Sequence, residues 1–342
     1  RSLQHSDYIL RENAQEVITK KDIDTLIENV HKLVMLPGEE IIHVLPQEYK
    51  IDGEPNIREP IGMLGRRLEA NLHIVVGQKA AIGNIFSCVK QSQLTVSGIT
   101  LEPLASSDAV LSSEEKEAGV CLVDIGGGTT DVAIFHEGII RHTAVIPFGG
   151  NVITEDIKEG CTIMKRKAEM VKKQFGSAVA SETQENVVVS IPGLKGRPAR
   201  EITLRNLASI IQARMEEIIE LVHFEIRNSG FEKKLIGGIV VTGGGAQLDH
   251  ITQLFEYVTG MDTRIGYPTE HLANTNNDSV KSPMYSTGIG LVLKGFEDIE
   301  KYEQDIPEAA SAGSVKTHSE KTRGSFFDTI IQKGKTWFAE ED

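Results

Sequence analysis

Apolar residues follow two patterns along the chain, short continuous runs and helical periods, and together they predict a mixed α/β protein. The run at 120–123 ends in Asp124 and is typical of a buried strand. Runs at 132–135 and 139–146 predict two further strands, and the apolar stretch at 236–241 predicts another. Three consecutive glycines follow shortly after both 120–123 and 236–241.

Apolar residues at helical spacing predict several helices. Thr19 is a candidate N-cap for the first, which ends at Pro37 and Gly38. Further helices are predicted at 80–91, 104–111, 164–175, 204–228, 250–258 and 283–293. The helix at 204–228 is closed by Gly230. Its buried stripe is predicted to be Leu207, Ile210, Ile211, Met215, Ile218, Ile219, Val222 and Ile226.

The remaining pattern predicts shorter elements. Strands are expected at 40–45, from 49 onward and at 68–75, and nothing before Ile9 is typical of the start of a domain. The helix at 80–91 carries Ile82, Ile85, Phe86 and Val89 on one face. A strand end at 99–103 is expected to carry Glu102, and 114–117 is expected to be a charged, solvated loop.

The glycines at 126–128 lie between two predicted strands and can form a tight turn whose amides approach a ligand closely. Bare amides can cradle a phosphate, Thr129 and Thr130 add hydroxyls, and Asp124 can hold the waters of a Mg²⁺ ion. A glycine-rich β-turn without a ligand is the alternative. The ordered set of Asp124, three glycines, two threonines and Asp131 favours phosphate binding.

The stretch 124–131 resembles the second phosphate loop of the actin-like ATPases, which include actin, the heat-shock chaperone ATPases, the sugar kinases and bacterial filament proteins. Five further stretches, in order, resemble the FtsA family of bacterial cell-division proteins. These are 43–49, 60–63, 67–69, 101–105 and 142–147.

The resemblance implies an actin-like ATPase fold, which is ribonuclease H-like, with two α/β lobes around a nucleotide cleft. It implies subdomain 1C at 1–73, 1A at 74–118 and 283–296, 2A at 119–158 and 236–282, 2B at 159–235, a flexible linker at 297–324 and an amphipathic helix at 325–342. Members of the family begin with a strand that carries the first of two phosphate loops. Apart from 124–131, this sequence contains no such loop. We therefore expect an N-terminally truncated chain that binds nucleotide weakly.

The same resemblance implies an ATP site with Mg²⁺. Glu102 is the implied catalytic residue, which orients the attacking water, although it could instead accept amides at the start of a helix. Glu169 and Lys172 are implied to reach the ribose and base, although this spacing is also that of a surface ion pair. The implied nucleotide-binding glycines are Gly126, Gly127 and Gly128 in the first turn and Gly243, Gly244 and Gly245 in the second. In the second turn the glycine backbone is expected to lie against the nucleoside.

Composition narrows the possible partners. The net charge of −13 disfavours non-specific binding of nucleic acid. The three cysteines, Cys88, Cys121 and Cys161, are far apart, which argues against a disulfide framework or a zinc cage. No apolar run approaches the ~20 residues that span a bilayer.

The C-terminal stretch predicts an amphipathic helix for a membrane surface. Its apolar residues fall within an arc of about 140°, with Lys333 and Lys335 flanking that arc. A tail helix docked on the domain is the alternative, but the lysines and the preceding linker favour membrane binding. The apolar arc consists of Phe326, Phe327, Ile330, Ile331, Trp337 and Phe338.

The implied function is that of a filament-forming tether at the cytoplasmic face of the bacterial inner membrane, at the division septum. Subdomain 2B would receive the C-terminal tail of FtsZ, and 1C would serve self-association and contacts with other division proteins. ATP would act mainly as a conformational ligand, with slow hydrolysis or none. The alternatives are a pilus-assembly or shape-determining filament protein and a small-molecule kinase of the same superfamily.

Overall fold

The computed structural model describes residues 2–184, 186–193, 198–269, 272 and 278–304. The chain divides into a large compact unit, Arg1–Phe296, and a second unit that begins at Glu297. In the second unit the described residues continue a helix to Gln304. The first eight residues of the predicted flexible linker, 297–304, are therefore helical, and the rest of the linker and the predicted tail helix lie outside the described residues. The subdomain boundaries stay predictions.

The large unit contains a four-stranded antiparallel sheet, a five-stranded mixed sheet and a two-stranded hairpin. The strands are β1 (Ser2–Leu10), β2 (Glu39–Ile51), β3 (Glu54–Ile57), β4 (Arg67–Gln78), β5 (Val120–Ile125), β6 (Thr130–His136), β7 (Ile139–Ile146), β8 (Val188–Ile191), β9 (Arg200–Thr203), β10 (Ile239–Thr242) and β11 (Thr263–Ile265). The helices are α1 (Lys20–His31), α2 (Lys79–Gln91), α3 (Glu102–Val110), α4 (Ser113–Ala118), α5 (Gly150–Cys161), α6 (Lys165–Phe175), α7 (Leu204–Asn228), α8 (Ile251–Thr259) and α9 (Ser286–Gln304).

The first sheet has the order β1-β4-β2-β3 and is covered by α1. Its core includes Leu26 and Val30 of α1 and Leu68 and Leu72 of β4, all fully buried. Two expectations were wrong here. Residues before Ile9 form the edge strand β1, which pairs with β4 along its whole length. Two strands expected within 40–52 are one strand with bulges, β2.

The second sheet has the order β11-β10-β5-β6-β7, in which β11, β10 and β5 are parallel and β6 and β7 run antiparallel to their neighbours. Side chains alternate between its two faces. Cys121 and Val123 join a large core with α5–α8, while Val120 and Leu122 pack with Ala109 of α3. The second sheet is therefore buried on both faces, which gives the functional site a rigid base.

The predicted stripe of α7 is confirmed. Seven of its eight residues are buried, and Ile210 is partly buried against the same core. Thr203 is the N-cap of this helix, and its hydroxyl accepts a hydrogen bond from the amide of Asn206.

Three local expectations were wrong. Glu102 is the first residue of α3 and not the end of a strand. Residues 113–118 form a short helix, α4, because Ser112 and Glu115 make a reciprocal capping box. The predicted face of α2 is not buried, since Ile85 and Phe86 are exposed. No helix of the described residues is long and apolar enough to cross a bilayer.

His73 marks the junction between the two sheets. It lies on β4, is 1% exposed, and its Nε2 is 3.0 Å from the hydroxyl of Thr143 on β7. Its Nδ1 is 3.1 Å from the side-chain nitrogen of Gln4 on β1. Burial, with a smaller effect from nearby His142, lowers the pKa of His73 to about 4. The folded protein therefore keeps this imidazole neutral.

The junction should be sensitive to acid. Because the folded-state pKa lies below the ordinary value of 6.5, the unfolded chain binds the proton first, and stability falls as the pH drops from 6.5 toward 4. Between pH 7 and pH 5 the loss from His73 should be about 2 kcal/mol. Urea unfolding of the wild type and of His73→Gln at both pH values measures it. An equal loss in the two proteins would contradict this assignment.

Candidate functional site

The two glycine turns meet at one edge of the second sheet. Strands β5 and β10 are parallel neighbours, and Thr242 of β10 lies opposite Asp124 of β5. Because the carboxyl ends of parallel strands lie at the same edge, the turns that follow them are brought together. This edge is a common position for ligand sites in α/β sheets.

The second turn contacts β5 too closely for any side chain. Gly243 has φ +84°, and a Cβ there would lie 2.3 Å from Oδ1 of Asp124. A Cβ on Gly245 would lie 2.3 Å from Cγ2 of Ile125, whereas Gly244 faces open space. The sequence explained these glycines by a bound nucleoside. The structure adds a reason within the protein, since Gly243 and Gly245 allow the second turn to pack against Asp124 and Ile125 at the end of β5.

The first turn is held by the start of α5. The amides of Gly150 and Asn151 donate to the carbonyls of Gly126 and Gly127, at 2.9 and 2.8 Å. The amide of Gly126 donates to the carbonyl of Thr129 at 2.9 Å. Gly128 is exposed, and a Cβ there would meet nothing within 4 Å. The turn is thus fixed at its base and open at its tip, as a phosphate cradle requires.

The hydroxyls of the two threonines in the turn have different hydrogen-bond partners. The hydroxyl of Thr129 donates to Oδ2 of Asp131 at 3.0 Å. The hydroxyl of Thr130 donates to the carbonyl of Phe148 at 2.8 Å, and Thr130 is fully buried. A contact between Thr130 and a ligand would require this bond to break. Its predicted role in binding stays a prediction.

Asp124 lies at the centre of the site and is 3% exposed. Its Oδ2 accepts a hydrogen bond of 2.7 Å from Ser106 of α3 and a longer one, 3.5 Å, from Thr287 of α9. Burial raises the pKa of Asp124, and these two hydrogen bonds act against that rise. Sequence reasoning gave Ser106 and Thr287 no role at this site, because their contacts with Asp124 join residues that are distant in the chain.

Three carboxylates share this edge. Desolvation raises the pKa of Glu102, the charges of Asp124 and Asp131 raise it further, and a hydrogen bond from Thr287 acts against them. Burial, together with the charge of Asp124, also raises the pKa of Asp131, against a hydrogen bond from Thr129. The edge therefore carries excess negative charge that a cation would neutralise. Its chemistry fits Mg²⁺, which takes oxygen ligands and keeps several waters.

The fit of this edge to Mg²⁺ does not rest on direct metal ligands. Among the described residues there is no cluster of three or more side chains placed to ligate a metal directly. The predicted contact of Asp124 with Mg²⁺ through water stays a prediction. The site residues themselves stay predictions.

Glu169 and Lys172 of α6 lie beside the first turn. The ammonium of Lys172 donates to the carbonyl of Gly150 and to the hydroxyl of Thr154, both at 2.7 Å, and pairs with Glu169 at 2.8 Å. The ion pair that the spacing allowed is thus present. It is not an ordinary surface pair, because Lys172 is largely buried against the residues that hold the phosphate turn.

A cavity of about 650 Å³ adjoins the second turn. Its wall includes Ala246 and Gln247 after the glycines, His250 and Tyr267, and Pro283 before α9. This volume lies within the range of small-molecule and cofactor sites. His250 and Tyr267 were not singled out from the sequence, because an isolated ring carries no motif.

Helices α3 and α9 cross closely above Asp124. A Cβ on Gly290 would lie 1.7 Å from the carbonyl oxygen of Ala105, so no residue larger than glycine fits there. Gly290 lies within the predicted helix 283–293, and its lack of a side chain allows the close crossing. The predicted membrane-contacting residues, 326–338, lie outside the described residues.

Comparisons with known proteins identify the family of this chain. The family model "Cell division protein FtsA" matches residues 121–290, and the model "SHS2 domain inserted in FTSA" matches residues 1–76. The cell division protein FtsA of Pseudomonas aeruginosa is 37% identical over 320 residues, which cover 94% of this chain and 74% of the relative. That of Escherichia coli is 35% identical over 310 residues, with coverages of 88% and 73%.

Two solved structures share the fold. A PilM–PilN type IV pilus biogenesis complex matches with a TM-score of 0.58 and 14% identity, over 86% of this chain and 76% of the matched chain. MreB 5 of Spiroplasma citri bound to AMPPNP matches with a TM-score of 0.53 and 23% identity, over 67% of each chain. These likenesses concern the fold alone, and the fold is that of the actin-like ATPases. The family model and the relatives in turn show that the chain belongs to the FtsA family of cell division proteins.

Proposed function

We propose that this chain is an ATP-binding, actin-like division protein that polymerises and anchors FtsZ to the cytoplasmic membrane at the division septum. The observation that best supports nucleotide binding is that two glycine turns meet at the carboxyl ends of β5 and β10, around the buried Asp124. The described match to MreB 5 bound to AMPPNP supports the same chemistry in a protein of this fold.

Each part of the site has a separate task in this proposal. The exposed amides at Gly127 and Gly128 bind phosphate oxygens, and Asp124 holds waters of the cation. Bound Mg²⁺ would offset the negative charge of the phosphates. Glu102 orients a water by accepting its hydrogen bond. Glu169 and Lys172 reach the ribose and base from α6, and the cavity near Tyr267 receives the nucleoside.

The FtsZ tail is proposed to bind beside the hairpin of β8 and β9. A cavity of about 870 Å³ lies there, between the end of α5, the start of α6 and the hairpin. Apolar Ile163 and Ile191 line it. Three cations, Lys158, Lys167 and Arg200, outnumber the two carboxylates of Glu159 and Glu201 in its wall. This mixture suits a peptide that carries both apolar and acidic side chains.

The membrane contact is proposed for the C-terminal helix. Burial of one large apolar side chain contributes about 1.5–3 kcal/mol. Six such residues, half buried, give roughly 5–9 kcal/mol before the ordering cost of the helix. Lys321, Arg323, Lys333 and Lys335 add attraction to anionic lipid, at most about 1 kcal/mol each. The apolar face should therefore dominate, and filament formation would strengthen attachment through avidity.

Self-association, and contacts of residues 1–73 with other division proteins, are proposed from family membership.

Asp124 should control cation-dependent nucleotide binding. We expect Asp124→Ala to weaken Mg-ATP binding by at least about tenfold, because loss of such a supporting carboxylate typically costs 10–100-fold. Melting temperatures at increasing Mg-ATP, up to millimolar concentrations, measure the affinity. Glu102→Gln is the matched control, expected to retain ATP affinity but to lower turnover. If Glu102→Gln instead abolished binding or unfolded the protein, its role would be that of a helix cap.

Binding of the FtsZ tail in the hairpin cavity should depend on the positive charge of Arg200. We expect Arg200→Glu to reduce the affinity for a fluorescent peptide of the FtsZ C-terminal tail by about tenfold, since one cation becomes an anion, a change of about 1.4 kcal/mol. Fluorescence anisotropy measures it. Lys233→Glu makes the same charge change outside the cavity and should leave the affinity unchanged. Equal affinities for the two variants would refute this position for the tail.

The tail should act independently of the folded core. We expect Trp337→Glu to release the protein from vesicles containing anionic lipid, because the charge interrupts the apolar arc. High salt should weaken the binding of the wild type without removing it. Vesicle co-sedimentation and the melting temperature decide the matter together. An unchanged pellet fraction, or a lowered melting temperature of the core, would refute the tether.

A further inference from the structure

Asp124 lies on the face of β5 that α3 and α9 cover. Side chains alternate along a strand, so Asp124 shares its face with Val120 and Leu122. Both of these pack with Ala109 of α3 and with Ile289 of α9. The carboxylate therefore ends an otherwise apolar stripe, and it meets the two helices at the point where they cross.

Two hydroxyls meet the carboxylate at this crossing. Ser106 is fully buried, and its Oγ donates to Oδ2 of Asp124 at 2.7 Å. The hydroxyl oxygens of Ser106 and Thr287 are 3.0 Å apart. Since Ser106 gives its one hydrogen to Asp124, it can accept the hydrogen of Thr287. This forms a chain of hydrogen bonds from α9 through α3 to β5.

The crossing itself is tight at the same point. Ala105 precedes Ser106, and its carbonyl contacts Gly290, one helical turn after Thr287. The backbones of α3 and α9 therefore cannot slide without changing the distance between the two hydroxyls. Any change in the angle between these helices would be transmitted to the carboxylate.

Thr287 has one hydroxyl hydrogen and two acceptors near it. The hydroxyl of Ser106 is 3.0 Å away, and Oδ2 of Asp124 is 3.5 Å away. Both lie between α9 and β5, so Thr287 acts on Asp124 either directly or through Ser106.

We propose that Ser106 and Thr287 are positioning residues, which fix the Asp124 carboxylate for the hydrated cation and link its orientation to the crossing of α3 and α9. The proposal rests on the proposed nucleotide site for its function, but its geometry can be tested without nucleotide. Ser107 is the matched control. It is buried on the same helix, but its hydroxyl donates to the carbonyl of Leu104, at 2.8 Å.

The first experiment uses no ligand. Oδ1 of Asp124 lies directly against the α-carbon of Gly243, so the α-proton resonance of Gly243 reports where the carboxylate points, whereas the Gly243 amide donates to the carbonyl of Pro283. We expect this resonance to shift in Ser106→Ala and in Thr287→Val, and to stay unchanged in Ser107→Ala. A Gly243 resonance that is unchanged in both test variants, or that shifts equally in Ser107→Ala, would overturn the proposal.

The second experiment adds the cation. At a fixed millimolar ATP concentration, the Mg²⁺ concentration giving half of the full rise in melting temperature should increase about tenfold in Ser106→Ala and in Thr287→Val. It should not change in Ser107→Ala, although that variant also loses a buried hydrogen bond. An unchanged Mg²⁺ requirement in Ser106→Ala, together with a shifted Gly243 resonance, would overturn the link to the cation.

The two experiments separate this proposal from the proposed function. If the wild type shows no stabilisation by ATP at any Mg²⁺ concentration, the nucleotide site is refuted. The Gly243 resonance then decides alone whether Ser106 and Thr287 orient the carboxylate.

Discussion

The site depends on keeping one carboxylate, that of Asp124, inside the protein at the end of a parallel strand. A buried carboxylate without hydrogen bonds is strongly unfavourable, so its surroundings are constrained. Ser106 donates to one oxygen, and the other oxygen leaves so little room that residue 243 must be glycine. The same contact places the second glycine turn against the end of β5, from which the first turn continues. The burial of Asp124 and the close approach of the second turn to β5 therefore depend on each other.

Much of this arrangement could be predicted from local sequence. The order of Asp124, glycines and threonines between two apolar runs indicated a phosphate turn, and the strands and the turn lie where the pattern placed them. The long apolar stripe of α7 was also predicted. These features depend on residues close in sequence, whose spacing reflects strand or helix geometry directly.

Other features depend on contacts that no local pattern contains. Ser106 and Thr287 are 181 positions apart, and each is an ordinary small polar residue in its own helix. Strand β1 was missed because an edge strand with polar residues on one face carries a weak apolar signal. Helix α4 was missed because its charges suggested a loop, although Ser112 and Glu115 form a capping box. In each case the feature depends on a distant partner residue or on a helix cap, which the local apolar pattern does not reveal.

Different contacts hold the rigid parts of the site and the parts that can adjust. Strand β5 is buried on both faces by two apolar layers, so Asp124 has a fixed backbone. The tip of the first turn at Gly128 has space around it, whereas its base is held by the amides that begin α5. The bonds from Ser106 and Thr287 are the ones that a shift of α3 against α9 would alter. A change in the angle between these helices would thus act on the orientation of one carboxylate and leave the sheet beneath it unchanged, which is the physical basis for linking a bound nucleotide to the shape of an actin-like fold.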